Sequence, residues 1–213
     1  MLPEKELRNE LLVVPLVAVT GPWTRALLHR LLHQAPPGAP AGSPPQPLWA
    51  GGPALRGARF TPKGAFESIY LASDPITALR EVEAIFVNPH GPPVTIQTPP
   101  WTVFAVNGFL QPVLDLSDPA IQARLATSVA ELTGDWRFSQ AVHLAGEGPL
   151  PPTQLLGRAA FETARIAGIR YRSARRSGEG FNVVVFSDRL DATGAGFLEV
   201  FDPAGLIRQK FPA

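Results

Sequence analysis

The chain has 213 residues, no cysteine, and 19 Lys+Arg against 18 Asp+Glu, a formal net charge of +1. That length suits one domain with a full core. The lack of cysteine excludes disulfides, thiolate zinc sites and a cysteine nucleophile and fits a reducing cytoplasm, while the near-neutral charge gives no bulk attraction to nucleic acid.

Hydrophobic residues make up 45% and charged residues 17%, with 24 prolines and 19 glycines, which describes a turn-rich globular chain rather than a disordered one. No apolar run reaches the ~18 residues of a membrane span, and Pro15 interrupts the stretch 11–20. Glu4, Glu6 and Glu10 among Lys5 and Arg8 are unlike the basic start of a signal peptide. Residues 1–19 read as an N-terminal extension.

In chain order, residues 24–34 (TRALLHRLLHQ) place four leucines at helical spacing and predict an amphipathic helix carrying Arg25. Residues 35–47 hold six prolines and two glycines, so they form neither helix nor central strand and read as a surface excursion. A glycine-studded basic stretch at 51–64 follows, then a strand at 69–72. Asp74 and Pro75 are a cap and first-turn proline for a helix at 77–86, with Asn88–Pro89 as its stop. Strands are predicted at 94–98, 102–106 and 113–116, and a short helix after Asp118–Pro119. A helix capped by Thr153 runs to residue 167 and is ended by Gly168. Strands at 169–171, 182–187 and 197–201 close the chain. Helices and strands alternate without a βαβ rhythm. The fold class is therefore α+β, a single domain with a bent, largely antiparallel sheet flanked by helices.

Several familiar motifs fail. Gly52 and Gly57 have P-loop spacing, but Ala58 and Arg59 stand where lysine and a hydroxyl are required. No glycine fingerprint of a dinucleotide fold follows a strand. His29 and His33 have zinc-protease spacing, but Arg30 replaces the glutamate and no third ligand is evident, so no metal is expected. What remains is polar residues at element boundaries. Arg59, Tyr70 and Glu81 are spaced eleven and eleven apart on a turn, a strand and a helix. A second basic group, Arg158, Arg165, Arg170, Arg172, Arg175 and Arg176, suggests a compact anionic ligand.

Arg59-Phe60-Thr61-Pro62-Lys63-Gly64, Ile69-Tyr70-Leu71-Ala72 and Thr77-Ala78-Leu79-Arg80-Glu81-Val82 resemble the RES domain. So do Thr153-Gln154-Leu155-Leu156-Gly157, Ser173-Ala174-Arg175-Arg176 and Gly180-Phe181-Asn182-Val183-Val184-Val185-Phe186, and the resemblance runs in order over residues 20–203. Thr61 stands where members often have asparagine, and Arg172 where many have proline. The resemblance implies an ADP-ribosyltransferase-like fold and an NAD⁺-consuming enzyme, the toxin of a bacterial toxin–antitoxin pair. NAD⁺ would be substrate, with no further cofactor. The partner would be a separate antitoxin with a DNA-binding domain. The acceptor and the oligomeric state, homodimer included, stay open. By the same resemblance Glu81, Arg59 and Tyr70 are the catalytic group, and Ser173 and the early Arg25 bind substrate, with Asn182 counted in the same substrate-binding group. Asn182 would hold the loop that carries Ser173. Two rivals remain: a dinucleotide-binding module without turnover, and an interaction protein defined by its partner.

Overall fold

The computed structural model describes residues 1–40, 42–87, 93–95, 99–175, 179–191 and 196–212. Its elements are α1 (Glu4–Leu11), β1 (Val17–Thr20), β2 (Trp23–Leu28), α2 (Gly51–Arg56), β3 (Ser68–Ala72) and α3 (Pro75–Glu81). Next come β4 (Ile85–Val87), β5 (Pro93–Thr95), β6 (Trp101–Asp115), α4 (Pro119–Arg124), α5 (Val129–Thr133), α6 (Trp136–Leu144) and α7 (Pro152–Glu162). The chain ends with β7 (Gly168–Arg172), β8 (Phe181–Phe186), α8 (Ser187–Asp191), β9 (Gly196–Val200) and β10 (Lys210–Phe211). The class is α+β, with a large, mainly antiparallel sheet in the order β10-β9-β6-β2-β3-β8-β7 and β1 alongside β6.

The sheet bends back on itself. β7 also pairs with β6, in parallel, from Val113↔Gly168 to Asp115↔Arg170, so β6, β2, β3, β8 and β7 form a ring. The ring is weakest between β2 and β3, which share the single register pair Thr24↔Ala72. Strand alternation then sorts the side chains onto two faces. Ile69, Leu71, Val183 and Val185 join Trp23, Val106, Leu110 and Val113 in one apolar cluster. Tyr70, Val184, Ile169 and Tyr171 face the other way, into a cluster completed by Leu7 and Leu11 of α1 and by Leu156, Ala159 and Ala160 of α7. Each fully buried leucine there is worth about 1.5–3 kcal/mol.

Several sequence expectations fail for identifiable reasons. Residues 24–34 are not a helix. β2 pairs along β6 from Trp23↔Val106 to Leu28↔Trp101, and only a 3₁₀ turn, His29–Leu32, follows. A long template strand overrides the helical spacing of the leucines. The strands expected at 102–106 and 113–116 are one strand, β6. Asn107-Gly108 in its middle is not a turn: a Cβ at Gly108 would lie 2.5 Å from Phe197 O, so the glycine lets β9 approach closely. The helix expected to run to 167 stops at Glu162, with Pro151 rather than Thr153 at its cap and Ala164 at φ 59 turning the chain away. Gly168 belongs to β7, where a Cβ would lie 2.6 Å from Val184 O.

α3 begins as expected: Pro75 is at its first turn and Asp74 Oδ1 accepts from Thr77 N at 2.9 Å. It stops at Glu81 rather than 86, because Glu83 takes φ 59 and leads into β4. The stop expected at Asn88–Pro89 lies outside the described residues, as does the end of the strand expected at 94–98. Among the described residues no helix is long and apolar enough to cross a membrane.

Candidate active site

Gly57, at φ 81, opens the turn that carries Arg59, and Ala58 and Thr61 close it with reciprocal backbone bonds of 2.8 and 3.1 Å. Arg59 is 8% exposed, and its Nη1 donates to Leu132 O at 2.8 Å and to Gly134 O at 2.9 Å. Carbonyls at a helix end lack helical partners, so the end of α5 is a natural seat for a guanidinium. Tyr70 fixes the same turn. Its Oη accepts from Phe60 N at 2.9 Å and lies 3.0 Å from Thr61 Oγ1, which meets Ser68 Oγ at 2.7 Å. The hydroxyl of Thr61 is thus a fully buried link in a chain of hydroxyls. Burial pushes the Tyr70 phenol up to about 12.

Glu81 ends α3 half-buried, and two donors converge on one of its oxygens. Ser173 Oγ donates to Oε1 at 2.6 Å and Asn182 Nδ2 at 2.7 Å. Among the described residues, Oε2 takes no bond. Both donors are buried, Ser173 at 5% and Asn182 at 3% exposure. Asn182 sits on β8 between Ala72 and Tyr171, which puts it on the face of Tyr70. Ser173 follows β7; its N–H donates to Gly180 O at 3.1 Å, and its Oγ accepts from Arg175 N at 3.2 Å. Asn182 therefore holds the carboxylate itself, beyond the loop role expected of it.

The residue that sequence reasoning missed is Tyr171. It is 3% exposed, and its ring meets Phe60 edge-on with centroids 4.7 Å apart. Burial pushes its phenol well up, and Glu81 and Tyr70 act in the same direction; Arg59 and a hydrogen bond with Asn182 oppose them. Tyr171 thus feels Glu81, Tyr70, Arg59 and Asn182 together. Its place two residues before Ser173 on an alternating strand is the signal that was available.

Arg25 is not brought to this group. It lies on β2, and its Nη2 donates to Trp49 O at 2.9 Å while, among the described residues, Nη1 is buried without a partner. Burial pulls its guanidinium down to about 10, still charged at neutral pH. The late basic series also disperses. Arg158 pairs with Glu4 at 3.1 Å, Arg165 bonds to Leu11 O at 3.1 Å, Arg170 meets Asp115 at 3.4 Å, and Arg175 pairs with Glu83. These contacts fasten elements together instead of gathering around one anion; Arg176 lies outside the described residues. His29 is not on a helix, and its Nδ1 lies 2.9 Å from Thr102 Oγ1. A cleft of about 350 Å³ lined by Thr20, Trp23, Ser73, Arg170, Phe181 and Val183 opens on the opposite face of β7 and β8 from Tyr171 and Asn182.

A carboxylate held by two uncharged donors suits stabilisation of a developing cation, and a fixed guanidinium suits an anionic group. The family model of the RES domain matches residues 23–197. No curated protein sequence matches the chain. A chain in the crystal structure of the M. tuberculosis MbcT–MbcA toxin–antitoxin complex is similar in fold, with a TM-score of 0.58 and 16% identity over 93% of this chain and 90% of that one. With that family match spanning most of its length, from β2 to the start of β9, the chain belongs to the RES domain family.

Proposed function

We propose that the protein cleaves the nicotinamide–ribose bond of NAD⁺ and acts in the cytoplasm as the toxin of a toxin–antitoxin pair. Membership of the RES family supports the reading, as does a similar fold solved within a toxin–antitoxin complex. The observation that carries it is the Glu81 carboxylate, anchored through Oε1 by Ser173 and Asn182 with Oε2 unbonded among the described residues.

Nicotinamide in NAD⁺ is already a cationic leaving group, so bond cleavage needs little acid catalysis. The ribosyl C1′–N bond breaks, its electron pair stays on the nicotinamide nitrogen, and positive charge spreads over C1′ and the ring oxygen, as in glycoside hydrolysis. Glu81 Oε2 accepts a ribose hydroxyl proton in a hydrogen bond and stabilises that charge. Because Ser173 and Asn182 are neutral, they orient the carboxylate without cancelling its charge. The ring of Tyr70 packs on the nicotinamide ribose side, where a cationic ring is favoured. Arg59 offers its remaining N–H groups to the pyrophosphate. Arg25 acts indirectly, by holding the Trp49 segment that leads into the glycine-rich turn. A nucleophile (phosphate, water or a protein side chain) then bonds to C1′.

An active NAD⁺ degrader needs restraint in its own cell. A separate antitoxin covering this site would supply it, and any DNA contact would belong to that partner. Nicotinamide release by the purified protein, compared with Glu81→Ala, tests the reading. Release abolished in the variant supports it; equal release in both removes Glu81 from the mechanism. Product masses with and without inorganic phosphate identify the acceptor.

A further inference from the structure

Two residues beyond Glu81, a second carboxylate has an unusual place. Glu83 sits just past the end of α3 with φ 59, the left-handed region that a non-glycine residue enters at a cost. This turn aims Glu83 at two arginines from distant parts of the chain. Arg137 Nη1 of α6 donates to its Oε1 at 2.6 Å, and Arg175 Nη2 of the segment after β7 donates to the same oxygen. All three side chains are about half exposed.

These arginines lead back to the site by short routes. The Arg175 backbone N–H donates to Ser173 Oγ, which itself donates to Glu81 Oε1. Arg137 lies three residues after Gly134, whose carbonyl, with that of Leu132, seats Arg59. One exposed carboxylate therefore ties together the segment holding Ser173 against Glu81 and the α5–α6 junction that holds Arg59.

We propose that Glu83 is a positioning residue: its double ion pair with Arg137 and Arg175 keeps Ser173 on the Glu81 carboxylate and Arg59 in register with it. The catalytic part of this inference rests on the reading of the site as an NAD⁺-cleaving centre; the positional part does not. A lone exposed ion pair contributes little and is screened by salt. One carboxylate shared by two guanidinia from separate elements is a local network, and its effect appears in geometry more than in overall stability.

The test compares wild type, Glu83→Gln, Arg175→Gln and the double variant. Amide hydrogen exchange of the peptides spanning 168–175 and 179–184 is expected to quicken in Glu83→Gln while the melting temperature stays within about 2 °C. Nicotinamide release is expected to fall about three- to tenfold in kcat with KM nearly unchanged, and the double variant to be no worse than the worse single one. Salt at 0.5 M should bring wild type down to the level of Glu83→Gln and leave the variant flat. Unchanged exchange in these peptides overturns the proposal whatever the activity. Altered exchange in a protein whose wild type releases no nicotinamide upholds the positional role and sinks the NAD⁺ reading alone.

Discussion

Glu81 and Glu83 are two residues apart, and each receives two donors on its Oε1 from remote parts of the chain. The donors differ in kind. Ser173 and Asn182 are neutral and buried, while Arg137 and Arg175 are charged and exposed. Neutral donors fix a carboxylate and leave its negative charge intact, which is what a cationic transition state requires. Guanidinia fix a carboxylate by neutralising it, which suits a fastening. On the proposed reading, one short stretch of chain thus presents the same side chain for two different tasks, and the partners decide which.

The largest expected effect separates the two outright. Glu81→Gln should lower nicotinamide release by about 10²–10³-fold, the loss typical of removing one preorganised electrostatic group, whereas Glu83→Gln should cost at most about tenfold. Equal losses measured in the same assay would break the comparison.

Next in size is an alkaline effect on the neutral side. The folded Tyr70 phenol is raised to about 12 from an ordinary 10, so the folded state holds a proton that the unfolded state loses between those values. Its stabilising contribution is fully present below pH 10 and is lost as pH rises towards 12, roughly 2–3 kcal/mol at about 1.4 kcal/mol per unit. Tyr171 adds to the fall. Arg25, lowered to about 10, pulls the other way over the same range. Urea midpoints should be level from pH 8 to 10 and drop at pH 11 more in wild type than in Tyr70→Phe; equal changes in the two would mean that the Tyr70 phenol is not held protonated.

Asn182→Ala removes one of the two neutral donors and should cost about 1–3 kcal/mol of stability, with about a tenfold loss of rate. Asn182→Asp sharpens this, because a second carboxylate beside Glu81 favours protonating one of the pair and should shift the acid limb of the pH–rate profile upward. An unshifted limb would place residue 182 away from the reacting group. The smallest effect is that of Tyr70→Phe, which keeps the ring and removes the hydroxyl that accepts from Phe60 N. A loss of about 1–1.5 kcal/mol, read as a melting shift of about 2–4 °C, is expected.

The polar order along the chain was legible before any coordinates, and so was the capped start of α3, because caps and prolines act locally. Five of the six residues singled out fall into two bonded groups: Tyr70 holds the turn that carries Arg59, and Ser173 and Asn182 meet on Glu81. Arg25 does not join them, since its surroundings depend on β2 lying along β6, a long-range pairing that leucine spacing cannot reveal. The continuity of β6 through Gly108 is hidden for a similar reason: that glycine's place is set by a strand some ninety residues later. Nothing in the sequence marks Glu83, whose partners depend on a backbone turned left-handed. Tyr171 is core, and its nearness to the polar group comes from pairing with Asn182 on the neighbouring strand.

The donors that hold Glu81 arrive 92 and 101 residues after it in the chain. A ribosome therefore finishes the arginine turn, the first tyrosine and the acid long before Ser173 and Asn182 can orient that acid, and a chain cut short between Glu81 and Asn182 carries the acid without its full support. If this is the centre of a toxin, the topology delays its assembly until translation of the domain is nearly complete, leaving a nascent fragment harmless and giving an antitoxin made alongside it time to fold.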